Sequence, residues 1–133
     1  MTKEKEVLNE GMKILGIDTS CDDTSVAIVE DGRSIQSNII SSQIELHKKY
    51  GGIVPELASR QHVELINYII EEALQKADVN LTDLSAIAVT NRPGLIGALL
   101  VGVSAAKSLA YCCQLPLLAV SYTHLTLPTI LLV

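Results

Sequence analysis

Apolar and polar positions along the chain recur with two different periods, and each period predicts a different element. The runs MKILGID and TSVAIV are short, β-branched-rich and apolar. They flank a polar bend, so each predicts a strand. Asp31-Gly32 is a two-residue hairpin signal and leads into a third strand over residues 34–40, giving three consecutive antiparallel strands. The segment SSQIELHKKYGGIVPE is polar and carries a Gly-Gly pair, which predicts a connecting loop with a short helical turn over 43–49. From Pro55 onward, Ala58, His62, Leu65, Ile66, Ile69, Ile70, Ala73, Leu74 and Ala77 recur at i, i+3, i+4, the stripe of an amphipathic helix that ends before 78–80. LSAIAV, residues 84–89, is too short for a helix and predicts a buried strand that TNRPG ends in a turn. Residues 95–113 alternate small and large apolar side chains and predict a helix lying close against a sheet, although a glycine in a helix costs about 1 kcal/mol. Pro116 ends that helix, and LPLLAV predicts a last buried strand.

A meander passing into helix-connected strands implies a mixed sheet with helices on its faces. Among folds built in this order is the ribonuclease-H-like lobe of the actin and sugar-kinase ATPases, where the first hairpin turn faces a nucleotide phosphate. The expected class is therefore α/β.

Composition narrows this modestly. A chain of 133 residues that is 48% hydrophobic supports one globular domain with a core. The net charge of -5 gives no electrostatic footprint for nucleic acid, so an RNA contact requires a local patch or another subunit. MTKEKEVLNEG lacks an apolar leader core, and the apolar stretch 95–113 is interrupted by Lys107, which predicts a soluble, cytoplasmic protein with no membrane span. Cys21, Cys112 and Cys113 fit neither a disulfide framework nor a zinc spacing. Reduced thiols are expected, with Cys112 and Cys113 packed in the core.

Candidate chemistry concentrates in GIDTSCDDTSVAI. Thr19 to Asp23 form the expected hairpin tip, where backbone N–H groups and hydroxyls converge on an anion. Asp18, Asp22 and Asp23 become useful there by holding a hydrated cation, or by acting as or orienting a base. The same residue types also build ordinary turns. In TNRPGLIG a Pro-Gly turn opens a helix, either as a phosphate or carboxylate cradle or as a plain strand-to-helix connection, and it lacks the GK[ST] of a P-loop. In ELASRQHVE, Glu56, Ser59, Arg60 and His62 could line a substrate or partner surface. Against that, Arg60 and Glu64 are spaced to pair and His62 falls on the apolar stripe. His47 is expected to face solvent, and no two histidines have metal-ligand spacing.

GIDTSCDDTSVAI, KYGGIVPELASRQHV and PGLIGALLVGVSAAKSLAY, in this order and spacing, resemble the N-terminal lobe of the universal tRNA threonylcarbamoyladenosine transferases, formerly described as O-sialoglycoprotein endopeptidases. The resemblance covers 13–120. It implies an actin-like fold and transfer of threonylcarbamoyl from threonylcarbamoyl-AMP to N6 of adenosine 37 in tRNAs reading codons that begin with A. It implies a divalent metal, iron or zinc, in the full-length protein, and two partners: a paralogous actin-fold subunit and a P-loop ATPase subunit. Carried onto this chain, it implies catalytic roles for Ser20, Asp22 and Asp23 and substrate or nucleotide contacts for Asp18, Thr19, Pro93 and Gly94. The alternatives are the non-catalytic paralogous subunit, which typically lacks SCDDT and GGIVPELASRQH, and an actin-fold small-molecule kinase.

Two positions depart from the family pattern. Arg92 stands where a glycine is usual before Pro-Gly, which matters little if its φ is negative. After LPLLAV the family continues with N-H-x-x-x-H, which would supply the metal histidines, whereas this chain reads SYTHLTLPTILLV. His124 has no histidine four residues away, so no residue here is assigned to the metal. VSYTHLTLPT is what translating GTC TCT TAT ACA CAT CTG ACG CTG CCG ACG gives, a sequence that matches a transposon-end adapter of sequencing libraries. The expected organisation is an N-terminal extension over 1–12, an incomplete first actin-like lobe over 13–120 and an adapter-derived tail over 121–133. Such a fragment is expected to be inactive and poorly soluble.

Overall fold

A computed structural model describes residues 11–122. All but two residues of the expected extension, and all but Ser121 and Tyr122 of the expected tail, lie outside it, His124 included.

Strand β1 (Lys13–Asp18) and strand β2 (Asp23–Glu30) run antiparallel with Asp18 opposite Ser25. Strand β3 (Ser34–Ser42) continues the meander. Asp31 and Gly32 both have positive φ, 53° and 69°, and the Arg33 amide donates to the Glu30 carbonyl at 3.2 Å. That is the type I′ turn whose twist suits a hairpin. β3 outlasts its expected end at residue 40, because Ser41 and Ser42 still pair with Thr24 and Asp23.

The short helix α1 (Ile44–Lys48) and the long helix α2 (Pro55–Ala77) follow, and the proline sits at the start of α2, where its missing N–H costs nothing. The expected stripe is the buried one: Ala58, His62, Ile66, Ile69, Ile70 and Ala73 face the sheet. Each isoleucine so buried contributes about 1.5–3 kcal/mol. At the helix end Asp78 turns left-handed, and the Val79 amide reaches back to the Leu74 carbonyl at 3.0 Å.

Strand β4 (Ala86–Arg92) begins two residues later than LSAIAV suggests and runs through TNR, which the sequence reading assigned to a turn. The reason is lateral pairing: β4 lies parallel to strand β5 (Leu117–Ser121), with Thr90 opposite Val120 and Arg92 opposite Ser121. The residues before β4 form a 3-10 turn (Leu81–Asp83) closed by reciprocal bonds between Asn80 and Asp83. Helix α3 (Ile96–Cys113) connects β4 to β5. By length and composition α3 is apolar enough to cross a membrane, yet it buries Ala98, Leu99, Gly102, Ala106 and Ala110 against the sheet and α2.

The sheet order is β3-β2-β1-β4-β5, with β1, β4 and β5 parallel. α2 and α3 pack together on one face, over a core that includes Leu15, Ile17, Val26, Ile28 and Ile87. The other face is built of small residues, Gly16, Ser25, Ala27 and Ala88, and forms a shallow cleft bordered by Asp18 and Thr90. This is a ribonuclease-H-like mixed sheet.

Three expectations about individual side chains are corrected. His47 is buried, not solvent-facing: its Nε2 bonds Gln43 Oε1 at 2.7 Å and its Nδ1 accepts from the Val54 amide at 3.1 Å, which ties the loop after α1 to the start of α2. Cys112 is exposed and Cys113 only half-buried, because they lie beyond the Ala106 and Ala110 stripe. Arg60 pairs with Glu56 at 2.7 Å and not with Glu64; both side chains are largely exposed, so the pair is worth about 0.5 kcal/mol or less.

Candidate functional site

The chain leaves β1 towards β2 and β3 on one side and returns through β4 on the other, so the strand order reverses between β1 and β4. In open α/β sheets the carboxyl ends of strands at such a reversal form a crevice. The bend 19–22 sits there, beside the turn 93–95 that follows β4.

Asp18, the last residue of β1, organises the edge. Its Oδ1 accepts from the Ser20 amide at 2.8 Å and from Ser20 Oγ at 2.7 Å. Its Oδ2 accepts from Thr90 Oγ1 at 3.0 Å. A carboxylate engaged by three neutral donors is held in place, and so is Ser20. Thr90 was missed by the sequence reading. The signal was a single hydroxyl closing the otherwise apolar run AIAV.

The other side of the bend rests on the turn 93–95. The Leu95 amide donates to the Ser20 carbonyl at 2.8 Å. A Cβ on Gly94 would fall on that same carbonyl, so glycine is needed there for approach, and its φ is not in the left-handed region. Arg92 likewise has no positive φ, so replacing the usual glycine strains nothing.

Thr19 is fully buried, with its hydroxyl bonded to Ala98 and Gly102 of α3. Its side chain therefore faces the helix layer and not the crevice. Asp23 belongs to β2 and not to the tip, and its Oδ1 is enclosed without a hydrogen-bond partner among the described residues. Asp22 stays on the bend and lines a shallow cleft with His47, Lys48, Gly51 and Gly52. The structure thus gathers Asp18, Ser20, Pro93 and Gly94 at one edge. Asp22 stands on its far side, towards α1, and Asp23 opens β2 on the same sheet face as Ser25.

Beneath the bend, His62 from α2 closes the hairpin. Its Nε2 donates to the Cys21 carbonyl at 2.8 Å and its Nδ1 lies 2.8 Å from Thr24 Oγ1, an arrangement satisfied by the Nε2–H tautomer. His62 is the satisfied core histidine that the stripe implies. Of its expected neighbours, Ser59 bonds the Pro55 carbonyl and packs against Gly97, whereas His62 hydrogen-bonds the bend at Cys21.

Burial pushes the Cys21 thiol above its ordinary range, and the negative charge of Asp22 pushes it further in the same direction. Both effects disfavour the thiolate of Cys21. Among the described residues no three histidine, cysteine, aspartate or glutamate side chains are grouped to hold a metal. His47 and His62 spend both ring nitrogens on the chain itself, so the described residues do not fit the metal that the resemblance implies.

What remains, among the described residues, is an edge of hydroxyl, carboxylate and backbone groups held together by hydrogen bonds. Residues 34–132 match the family model described as tRNA N6-adenosine threonylcarbamoyltransferase. Proteins of that name are similar throughout most of this chain. The one from Halalkalibacterium halodurans is 57% identical over 116 residues, covering 87% of this chain and 34% of the relative. That from Brachyspira hyodysenteriae is 59% identical over 111 residues, covering 84% and 33%, and that from Bacillus subtilis is 56% identical over 111 residues, covering 84% and 32%. The chain spans about a third of the length of these curated relatives. Among solved structures, YeaZ from Pseudomonas aeruginosa superposes with a TM-score of 0.63 at 26% identity, covering 82% of this chain and 44% of that one.

Proposed function

This chain belongs to the tRNA N6-adenosine threonylcarbamoyltransferase family, and from that premise we propose that it is the first lobe of an enzyme that transfers threonylcarbamoyl from threonylcarbamoyl-AMP to N6 of adenosine 37 in tRNAs reading A-starting codons. The observation that carries the reading is the hydrogen-bonded edge at the β1/β4 reversal, where Asp18 fixes Ser20 and the 93–95 turn grips its carbonyl.

The chemistry fits such an edge. The acyl-like carbon already carries AMP as its leaving group, and the attacking exocyclic amine is weakly basic. The work left to the protein is placement and stabilisation of developing charge. In this reading the Ser20 hydroxyl and the backbone of 93–95 border the intermediate, and Asp18 orients Ser20. Asp22 and Asp23 flank the acceptor base. Thr19 contributes through α3. The iron or zinc expected of the family falls, in this reading, to residues other than those described. A paralogous actin-fold subunit and a P-loop ATPase subunit are the proposed partners, in the cytoplasm.

The domain boundaries belong to the same proposal: a lobe over 13–120 that is incomplete, with 121–133 as an adapter-derived tail, and no transferase activity in the 133-residue chain alone. The test is reconstitution. The complete reading frame, supplied with partner subunits, tRNA, threonine, bicarbonate and ATP, is expected to form threonylcarbamoyladenosine. A reconstituted complex that forms none sinks the assignment.

A further inference from the structure

Thr19 carries the only wholly enclosed side chain of the bend. Its hydroxyl donates to the Ala98 carbonyl at 2.6 Å and accepts from the Gly102 amide at 3.0 Å. Ala98 and Gly102 are four residues apart, the pair of groups that closes one turn of an α-helix. A side chain from the hairpin therefore enters the hydrogen-bonding seam of α3. Gly102 admits it, since a Cβ there would stand 2.5 Å from Thr19 Oγ1. One residue further along the bend, the Ser20 carbonyl is held by the Leu95 amide, just ahead of the first turn of the same helix. The bend is fastened to α3 at two successive levels.

The direction of these bonds gives Thr19 more than a space-filling role. Its hydroxyl spends its proton and one acceptor position on a helix whose other side, at Leu100 and Ser104, opens with Val63 and Ile66 of α2 into an apolar groove. The residue beside it bears the hydroxyl assigned to the substrate edge. A shift of α3 along its axis must therefore move Ser20. We infer that Thr19, seated on Gly102, is a positioning residue that sets the register of the Ser20 edge against α3. The geometry stands on its own, and its effect on rate rests on the transferase reading. A group of this kind acts on kcat, because a misplacement of about 1 Å at the reacting centre costs on the order of 100-fold in rate without removing a substrate contact.

Three variants test it in the full-length protein with its partner subunits: Thr19→Val, Thr19→Ser, and the double variant Thr19→Ala with Gly102→Ala. In the double variant the new methyl at 102 fills the space left by the threonine, so the fold is kept while the interlock is removed. Two readouts are taken: amide hydrogen exchange at Leu95 and Gly102, and kcat and KM for tRNA. Thr19→Val and the double variant are expected to speed exchange at Leu95 at least tenfold and lower kcat at least tenfold with KM within twofold. Thr19→Ser restores both. Unchanged exchange at Leu95 in the folded double variant overturns the interlock whatever the activity. Faster exchange with unchanged kcat, or a loss confined to KM, overturns the positioning role. A wild-type complex without activity sinks the transferase reading instead, and exchange at Leu95 then decides the interlock by itself.

Discussion

Gly94 approaches Ser20 so closely that a Cβ on it would collide with the Ser20 carbonyl oxygen. The contact is backbone against backbone, so neither partner can rotate away. Gly94→Ala is therefore expected to destabilise the chain by about 1–3 kcal/mol, the usual cost of forcing a methyl into a filled site. For a domain of this size that lowers the melting temperature by about 4 °C or more. A thermal melt of Gly94→Ala matching that of the parent would contradict the contact.

Asp18 offers a second comparison, between shape and charge. Asp18→Asn keeps an oxygen for Ser20 and places an amide against the Thr90 hydroxyl, which can turn to accept. Asp18→Ala leaves that buried hydroxyl and the Ser20 donors unmatched, at about 1–3 kcal/mol. Urea unfolding is expected to rank parent, Asp18→Asn and Asp18→Ala in descending stability. Equal midpoints for Asn and Ala would show that the carboxylate does not organise the edge.

Cysteine labelling reads the electrostatics of the bend. Because burial and then Asp22 raise the Cys21 pKa, little thiolate exists at pH 8, and iodoacetamide is expected to label exposed Cys112 first. Labelling of Cys21 climbs as pH rises beyond the ordinary thiol range. Asp22→Asn removes a negative charge that opposes ionisation, so it lowers the pKa and speeds labelling at pH 8. Slower labelling of that variant would reverse the sign of the argument.

The tail is checked at the level of the gene. Resequencing the source locus is expected to show a frame in which LPLLAV continues into N-H-x-x-x-H. A genomic frame that encodes SYTHLTLPT and then stops would refute an adapter origin.

Much of the fold was legible because its elements are amphipathic in the plain sense. The α2 stripe and the Asp31-Gly32 turn are local signals, and both lie where the sequence puts them. The ends of β3 and β4 were less legible, since pairing with β2 and β5 extends them through polar residues that carry no strand signal. His47 was less legible for a similar reason: it is held by the Gln43 side chain and by the backbone amide of Val54, and neither bond leaves an apolar signature at position 47. The direction of Thr19 was available in the parity of β1. Leu15 and Ile17 point to the helices, and Thr19 continues the same alternation one step past the strand. The grouping of Ser20 with Thr90 and Leu95 was not available, because it depends on how two distant segments meet.

The bond between Asp18 and Thr90 spans 72 residues of chain, whereas the β1-β2-β3 meander pairs near neighbours. Closing the longer loop costs more entropy before any contact rewards it, so the meander is expected to assemble first and β4 to dock onto it later. Folding kinetics check this through mutational φ-values: Val26→Ala in the meander should slow folding, and Thr90→Ala should chiefly speed unfolding. A high φ-value at Thr90 would reverse the order. During synthesis the hairpin leaves the ribosome long before the strand that completes its edge, so the nascent chain carries the bend for most of the lobe's length before it becomes a site.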